Sequence, residues 1–344
     1  MLILGIESSC DETAVAIVQD GQDVVLNLVS SQIDLHAPYG GIVPEVACRA
    51  HAEWLIPLLK EASAHSLIKL EHIDVIAATS QPGLIGALLV GLSAGKALAW
   101  ALNKPFIAVD HIDGHIHATR MTHPEIPFPH LSLVVSGGHT EIYLSPNACE
   151  KQLITSTADD AAGECFDKVA ALLGLAYPGG PQIQNLAEKG DPEAIDFPKG
   201  KPGEDGLALS FSGLKTAVLY HLKREGFAQK AGRPRLEYTG GEAPEQVLAD
   251  VAASFQEAAC DMLVRCALNA AKHTGVKHIG LTGGVACNSR LREKLRDAGK
   301  AAGLSIYACS RELCTDNAAF IAGSAHAFAK AGKFSDLGVE AIPN

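Results

Sequence analysis

His111 and His115 stand four residues apart in the run Asp110-His111-Ile112-Asp113-Gly114-His115-Ile116-His117. That spacing sets two imidazoles on one helical face, a single turn from each other, close enough to share a metal ion. The plainer account is a helix that happens to carry histidines, and a bare His-x-x-x-His does not decide against it. The neighbourhood does more. A strand-like run, Phe106-Ile107-Ala108-Val109, delivers the chain to Asp110, so the pair follows the carboxyl end of a strand, where open α/β sheets collect ligands. His117 is six residues from the first histidine and points elsewhere. Zinc peptidases of the His-Glu-x-x-His type place a water-activating glutamate beside the first histidine. Here Ile112 holds that place and Asp113 comes one position later, so hydrolysis is not the chemistry expected.

Three turns suit a phosphate: Ser8-Ser9-Cys10-Asp11, Ser136-Gly137-Gly138-His139 and Thr282-Gly283-Gly284-Val285. Each directly follows an apolar strand pattern, and glycine lets backbone amides come close to an anion. A lone Gly-Gly is usually a plain tight turn; three in this setting point to a nucleotide site. None fits Gly-x-Gly-x-x-Gly or Gly-x-x-x-x-Gly-Lys, so neither a dinucleotide fold nor a Walker-type NTPase is supported.

The elements that must position these groups repeat. Strand patterns at 2–8, 13–18 and 24–29 precede a helix at 44–65, a strand at 73–79, a helix at 84–102 and the strand ending at Val109. The order begins again with strands at 131–136, 140–144 and 151–157. Helices follow at 163–173, 181–189, 214–225 and 245–273, then a strand at 278–282, a helix at 285–303, a strand at 304–307 and a closing helix at 316–331. The repeat predicts two similar α/β lobes with a ligand cleft between them, and an insertion near 190–245 rich in Gly, Pro and Lys. The expected lobes are 1–110 with about 316–344, and 111–315.

Composition bounds the class. The chain has 344 residues, 47% hydrophobic and 19% charged, as in a globular α/β enzyme. The most apolar run, 84–102, is interrupted by Gly86, Gly91, Ser93, Gly95 and Lys96, and is read as too broken to span a bilayer. With no basic leader pattern, the expected location is the cytoplasm. Nine cysteines form no Cys-x-x-Cys pair and read as buried thiols. The net charge of −11 argues against a general nucleic-acid binder. One local cluster runs the other way: Lys223, Arg224, Lys230, Arg233 and Arg235. It is either a solvated helix end or a set of phosphate contacts.

Taken together, the motifs resemble a known family. Gly5-Ile6-Glu7-Ser8-Ser9-Cys10-Asp11-Glu12-Thr13, the stretch from Lys96 to Ile116, Val135-Ser136-Gly137-Gly138-His139-Thr140, Gly163-Glu164-Cys165-Phe166-Asp167-Lys168, Ser210-Phe211-Ser212-Gly213-Leu214-Lys215, Gly283-Gly284-Val285-Ala286-Cys287-Asn288 and Cys314-Thr315-Asp316-Asn317 are similar to blocks of the family once labelled O-sialoglycoprotein endopeptidases. Further blocks at 39–45, 81–84 and 177–180 extend the likeness. The bacterial members are called TsaD. The resemblance implies an actin/Hsp70-like (ASKHA) duplicated two-lobe fold. It also implies transfer of threonylcarbamoyl from L-threonylcarbamoyl-AMP to N6 of the adenosine 3′ of the anticodon (position 37), in tRNAs reading codons that begin with A, with release of AMP.

Residue by residue, the resemblance implies metal ligation by His111, His115 and Asp316, with Fe(II) as the first choice and Zn(II) as the other. Relatives from archaea and eukaryotes carry a tyrosine just before the Ser-Gly-Gly turn, where this chain has Val134 and Val135. It implies nucleotide contacts at Val134, Val135, Ser136, Gly137, Gly138, Asp167, Gly180 and Asn288. Singly, Asp167 would be a helix-surface acid and Asn288 a helix cap. Asp11, Glu12 and His139 are the candidates for a general base. The implied partners are tRNA, a paralogue called TsaB that pairs through a helical face of the N-terminal lobe, and the ATPase TsaE, with no membrane. The competing readings are a small-molecule kinase or ATPase of the same fold, a non-catalytic scaffold and, least favoured, a metallopeptidase.

Overall fold

A computed structural model of the chain describes residues 1–64, 68–201, 203–229, 235–241 and 244–343. Two compact units divide it: Met1–Phe128, Ser145–Lys151 and Cys309–Asn344 form the first, Pro129–Leu144 and Gln152–Ala308 the second. Three strands open the first unit: β1 (Leu2–Glu7), β2 (Glu12–Gln19) and β3 (Asp23–Ser31). Apolar residues run through β1 and β2 almost without break, and both strands are buried on both faces. Asp20 and Gly21 turn β2 into β3 at positive φ, 51° and 75°, which Asp and Gly tolerate best.

Then come α1 (Ile33–His36), α2 (Pro44–Ala64), β4 (Val75–Gln81), α3 (Ile85–Leu102), β5 (Phe106–Asp110) and α4 (His111–Thr122). Pro44 opens α2, where its missing N–H costs nothing. The sheet order is β3-β2-β1-β4-β5. β1, β2 and β3 pair antiparallel, and β4 and β5 extend β1 in parallel. Leu4, Ile6, Val15, Ile17, Leu55, Ile76, Leu92 and Phe106 form the core beneath it.

The second unit repeats the scheme. β6 (His130–Val135), β7 (Thr140–Asn147) and β8 (Glu150–Ser156) precede α5 (Ala162–Leu173), α6 (Gly179–Ala187), α7 (Ser212–Arg224), the small pair β9 (Phe227–Gln229) and β10 (Leu236–Tyr238), and α8 (Glu245–Thr274). β11 (His278–Thr282), α9 (Ser289–Ala301) and β12 (Ser305–Ala308) complete it. Its sheet order, β12-β11-β6-β7-β8, matches the first strand for strand when read from the other edge. The chain then returns to the first unit through α10 (Arg311–Cys314) and α11 (Ala318–Lys330), and α11 packs on β1, β2, β4 and α4.

The duplicated order expected from the strand and helix patterns is therefore present. Three details differ. Residues 111–128, 145–151 and 309–315, which include helix α4 and the facing ends of β7 and β8, fall with the first unit, whereas the sequence patterns assign 111–315 to the second lobe. The expected helix over 285–303 is broken at Asn288: a 3₁₀ turn, Gly284–Cys287, ends there and α9 begins, because the Asn288 side chain caps the new helix. Finally, α3 is by length and composition enough to cross a membrane, with 18 residues and a mean hydropathy of 1.7. Its glycines do not break it; they admit close packing against β1, β4 and β5 in this unit.

Candidate functional site

The His pair is built by helix α4 and the segment leading into α11. Asp110 caps α4: its Oδ1 accepts from the Ile112 amide at 2.8 Å and its Oδ2 from Gln81 Nε2 at 3.1 Å. Lys151 bridges Asp110 and Asp113 at 2.9 and 2.8 Å, so Asp113 is committed to an ion pair and is not aimed at the histidines. On the facing side, Asn317 caps α11 by accepting from the Phe320 amide at 3.1 Å and donates to the Thr315 carbonyl at 2.7 Å. Those two bonds hold the backbone on either side of Asp316. Phe320 packs against both imidazoles, with ring centroids 5.5 and 4.9 Å away. Gly114 allows this approach, since a Cβ there would stand 2.7 Å from the Phe320 ring.

The result joins His111, His115 and Asp316, whose ligating atoms all lie within 4.8 Å of one another. Asp316 Oδ1 is 3.6 Å from His111 Nε2 and 3.2 Å from His115 Nε2. Both histidines are buried. His115 Nε2 stands 3.2 Å from the carboxylate but off the line of a hydrogen bond, and among the described residues neither ring nitrogen has a well-aligned hydrogen-bond partner. A buried imidazole without a partner is costly, and a cation between its Nε2 and the carboxylate would satisfy it. Two nitrogens and a carboxylate oxygen fit a divalent transition metal with open positions.

The electrostatics agree with a cation site. Burial lowers the pKa of His111, but Asp316 and Glu7 overcome it and raise it to about 9. Burial keeps His115 below the usual imidazole value despite Asp316. Asp11 and Glu12 converge on the same Asp316, again within 4.8 Å. Burial, then repulsion from Asp11 and Asp316, pushes Glu12 well above the usual carboxylate range.

Glu7, which is no candidate on sequence grounds, is also present here. It is wholly buried and its Oε2 lies 3.1 Å from His111 Nδ1. The signal available was an acid closing an otherwise apolar strand, Leu2-Ile3-Leu4-Gly5-Ile6.

The nucleotide candidates belong to the second unit. Val134 and Val135 are buried at the end of β6, so their side chains serve the core. Ser136 is next: its amide donates to the His139 carbonyl at 2.8 Å and its Oγ accepts from the His139 amide at 3.1 Å. This closed turn leaves Gly137 and Gly138 exposed. Asp167 Oδ1 accepts from the Gly179 amide at 2.7 Å, one residue before Gly180. The side chain of Asn288 is engaged at both ends. Its Oδ1 accepts from the Leu291 amide at 3.0 Å and its Nδ2 donates to Gln256 Oε1 at 2.7 Å. The helix-cap account therefore describes that side chain. His139, the third candidate base, lies in this unit, whereas Asp11 and Glu12 belong to the first.

Four glycines among the nucleotide candidates and the Thr282 turn are open. At Gly137, Gly138, Gly180 and Gly284, as at Gly213 in α7, an added Cβ would meet no heavy atom of the described residues within 4 Å, and none has positive φ. Among the described residues, no neighbour requires glycine there. Gly283 is the contrast: its φ is 95° and a Cβ would press on the Val135 carbonyl. In the first unit, the Ser8 turn is internally occupied, since Ser8 Oγ donates to the Ala87 carbonyl at 2.9 Å and accepts from the Gly91 amide at 3.1 Å. Of the basic cluster, Lys223, Arg224 and Arg235 are described, and Lys230 and Arg233 lie outside the described residues.

Comparison with known proteins gives this geometry a context. The family model for TsaD, tRNA N6-adenosine threonylcarbamoyltransferase, matches residues 23–323. A protein of that name from Kosmotoga olearia is 48% identical over 343 residues, covering 100% of this chain and 98% of its own. Another, from Symbiobacterium thermophilum, is 47% identical over 342 residues, covering 99% and 96%. Among solved structures, full-length HypF in a phosphate- and nucleotide-bound form superposes with a TM-score of 0.61 at 15% identity, over 97% of this chain and 47% of that one. That likeness bears on the fold, which is the two-lobed actin/Hsp70-like (ASKHA) arrangement expected. With the motifs, the duplicated sheets and relatives matched end to end, the chain belongs to the TsaD family and is a transferase that modifies tRNA with a threonylcarbamoyl group.

Proposed function

We propose that this chain transfers the threonylcarbamoyl group of L-threonylcarbamoyl-AMP to N6 of the adenosine 3′ of the anticodon (position 37), in tRNAs reading codons that begin with A, and releases AMP. The observation that supports the reading is the gathering of His111, His115 and Asp316 with ligating atoms within 4.8 Å of one another, His115 being buried and without a well-aligned hydrogen-bond partner among the described residues. His111, His115 and Asp316 would hold a divalent metal, Fe(II) ahead of Zn(II), which when bound would supply charge withdrawal from the phosphate or carbamoyl oxygens. The four open glycines support approach of a ligand to the backbone of the second unit. The amides of Gly137 and Gly138, in the turn that Ser136 closes, bind the AMP phosphate and steady it as it leaves. The remaining oxygen of Asp167 takes ribose hydroxyls, and the chain around Gly180 and Asn288 borders the nucleoside. The N6 amine attacks the carbamoyl carbon, the carbamoyl C–O bond to phosphate breaks, and the proton lost from N6 passes to solvent or to Asp11, Glu12 or His139.

A net charge of −11 leaves this chain short of cations for tRNA. Partners supply what it lacks: TsaB, paired through a helical face, and TsaE, all in the cytoplasm. The exposed Ile56 of α2 and Ile85, Leu89 and Trp100 of α3 support such a pairing face. Incubation with both partners, tRNA, threonine, bicarbonate and ATP is expected to give N6-threonylcarbamoyladenosine and AMP. Phosphate transfer from ATP to a small acceptor, unaffected by loss of the histidines, would replace this reading with a kinase.

A further inference from the structure

Glu7 is the last residue of β1, and its carboxylate is surrounded by donors. Oε1 accepts from the Ser9 amide at 2.5 Å; Oε2 accepts from Thr79 Oγ1 at 2.7 Å and lies 3.1 Å from His111 Nδ1. We infer that Glu7 is a positioning residue for the metal centre: it holds a proton on His111 Nδ1 and so leaves Nε2 as the nitrogen that takes the metal. The inference rests on His111, His115 and Asp316 being ligands.

Hydrogen-bond polarity fixes the tautomer. An ionised carboxylate offers lone pairs alone, so at 3.1 Å in a buried setting it must face an N–H and not a bare ring nitrogen. With the N–H on Nδ1, the lone pair is on Nε2, the nitrogen that faces Asp316 and would take the metal. Ser9 Oγ, also 3.1 Å from Nδ1, can accept from the same N–H. Outer carboxylates of this kind set the ring orientation and basicity of metal-bound histidines. Among the described residues no carboxylate bonds His115 Nδ1, which has no hydrogen-bond partner there, so the two ligands are held differently.

Glutamine cannot replace Glu7. If its oxygen accepts from the Ser9 amide, its NH₂ faces Nδ1 and reverses the imidazole tautomer; if its oxygen faces Nδ1, the NH₂ opposes the Ser9 N–H. Glu7→Gln is expected to weaken Zn(II) binding by about 10- to 100-fold in chelator competition, with AMP affinity of the metal-free protein unchanged. In Zn(II)-loaded wild-type protein labelled with ¹⁵N-histidine, His111 should keep a slowly exchanging Nδ1 proton, a readout that needs no variant to fold. Full Zn(II) affinity in folded Glu7→Gln, or metal bound through His111 Nδ1, overturns the role of Glu7. Full affinity in His115→Ala overturns the ligand assignment itself, and the inference with it.

Discussion

The same five-strand order occurs twice, yet the ends of the two first strands do different work. β1 closes on Glu7, buried and bonded to His111, and the metal candidates of the first unit are all side chains: two imidazoles and the carboxylates of Asp11, Glu12 and Asp316. β6 closes on Val135, a core residue, and the turn after it presents backbone at Gly137 and Gly138. One copy thus offers charge and lone pairs, the other amide donors with room before them. A cation needs the first and an anionic phosphate the second. The scaffold recurs, and the few residues at and after corresponding strand ends carry the difference in chemistry.

The contrast breaks most sharply at the metal ligands. His111→Ala or Asp316→Ala should cost more than ~100-fold in modified nucleoside formed, measured by mass spectrometry of digested tRNA, since removing a ligand exceeds the loss of an outer partner. AMP affinity of the metal-free protein, which the proposal assigns to the second unit, should not change. Full activity in either variant would remove the metal from the mechanism.

Glycines of the second unit come next, and they should separate. Gly283→Ala puts a Cβ against the Val135 carbonyl at a φ of 95°, with an expected stability loss of about 1–3 kcal/mol in denaturant unfolding. Gly138→Ala should leave unfolding unchanged but weaken AMP roughly tenfold by calorimetry, about 1.4 kcal/mol. Equal effects on stability would mean that Gly138 is structural too.

Charge reversal at Arg233 and Arg235 should weaken tRNA binding and flatten its salt dependence by roughly one unit of slope per arginine, leaving AMP affinity intact. Unchanged tRNA affinity would remove that cluster from the tRNA-binding surface.

The smallest effect is one of pH. His111 rises from 6.5 to about 9 on folding, so its stabilising contribution is complete below about pH 6.5 and is lost as pH rises toward 9. Glu7 is shifted the other way: burial opposes ionisation, but His111 outweighs it and lowers the pKa, so that contribution is lost as pH falls below the ordinary carboxylate value of 4.5. Melting of metal-free protein should therefore decline between pH 6.5 and 9, and His111→Ala should flatten the decline. Because metal must displace a proton from His111, metal affinity should climb over the same range.

Much of the fold was legible because its signals are local. Apolar runs of strand length, the Asp20-Gly21 turn and Pro44 at a helix start depend on near neighbours alone. Asn288 reads singly as a helix cap, yet the helical pattern of 285–303 runs straight through it, and only its side-chain bond to the Leu291 amide marks the break. Membership of the TsaD family and the positions of His111, His115 and Asp316 came from motif likeness. Spacing justified the two histidines as neighbours but could not bring in an aspartate about two hundred residues away.

By itself, then, the sequence determined the duplicated order, the helical face shared by His111 and His115, and the glycine turns after strands. Tertiary structure alone decided that Asp316 meets the pair, that Glu7 stands behind His111, and that Gly283 is structurally required while Gly138 is open. The physical reason is range. Hydrogen-bond periodicity and turn chemistry act over a few residues, whereas burial, clash and charge pairing depend on which distant segments the packed core brings together.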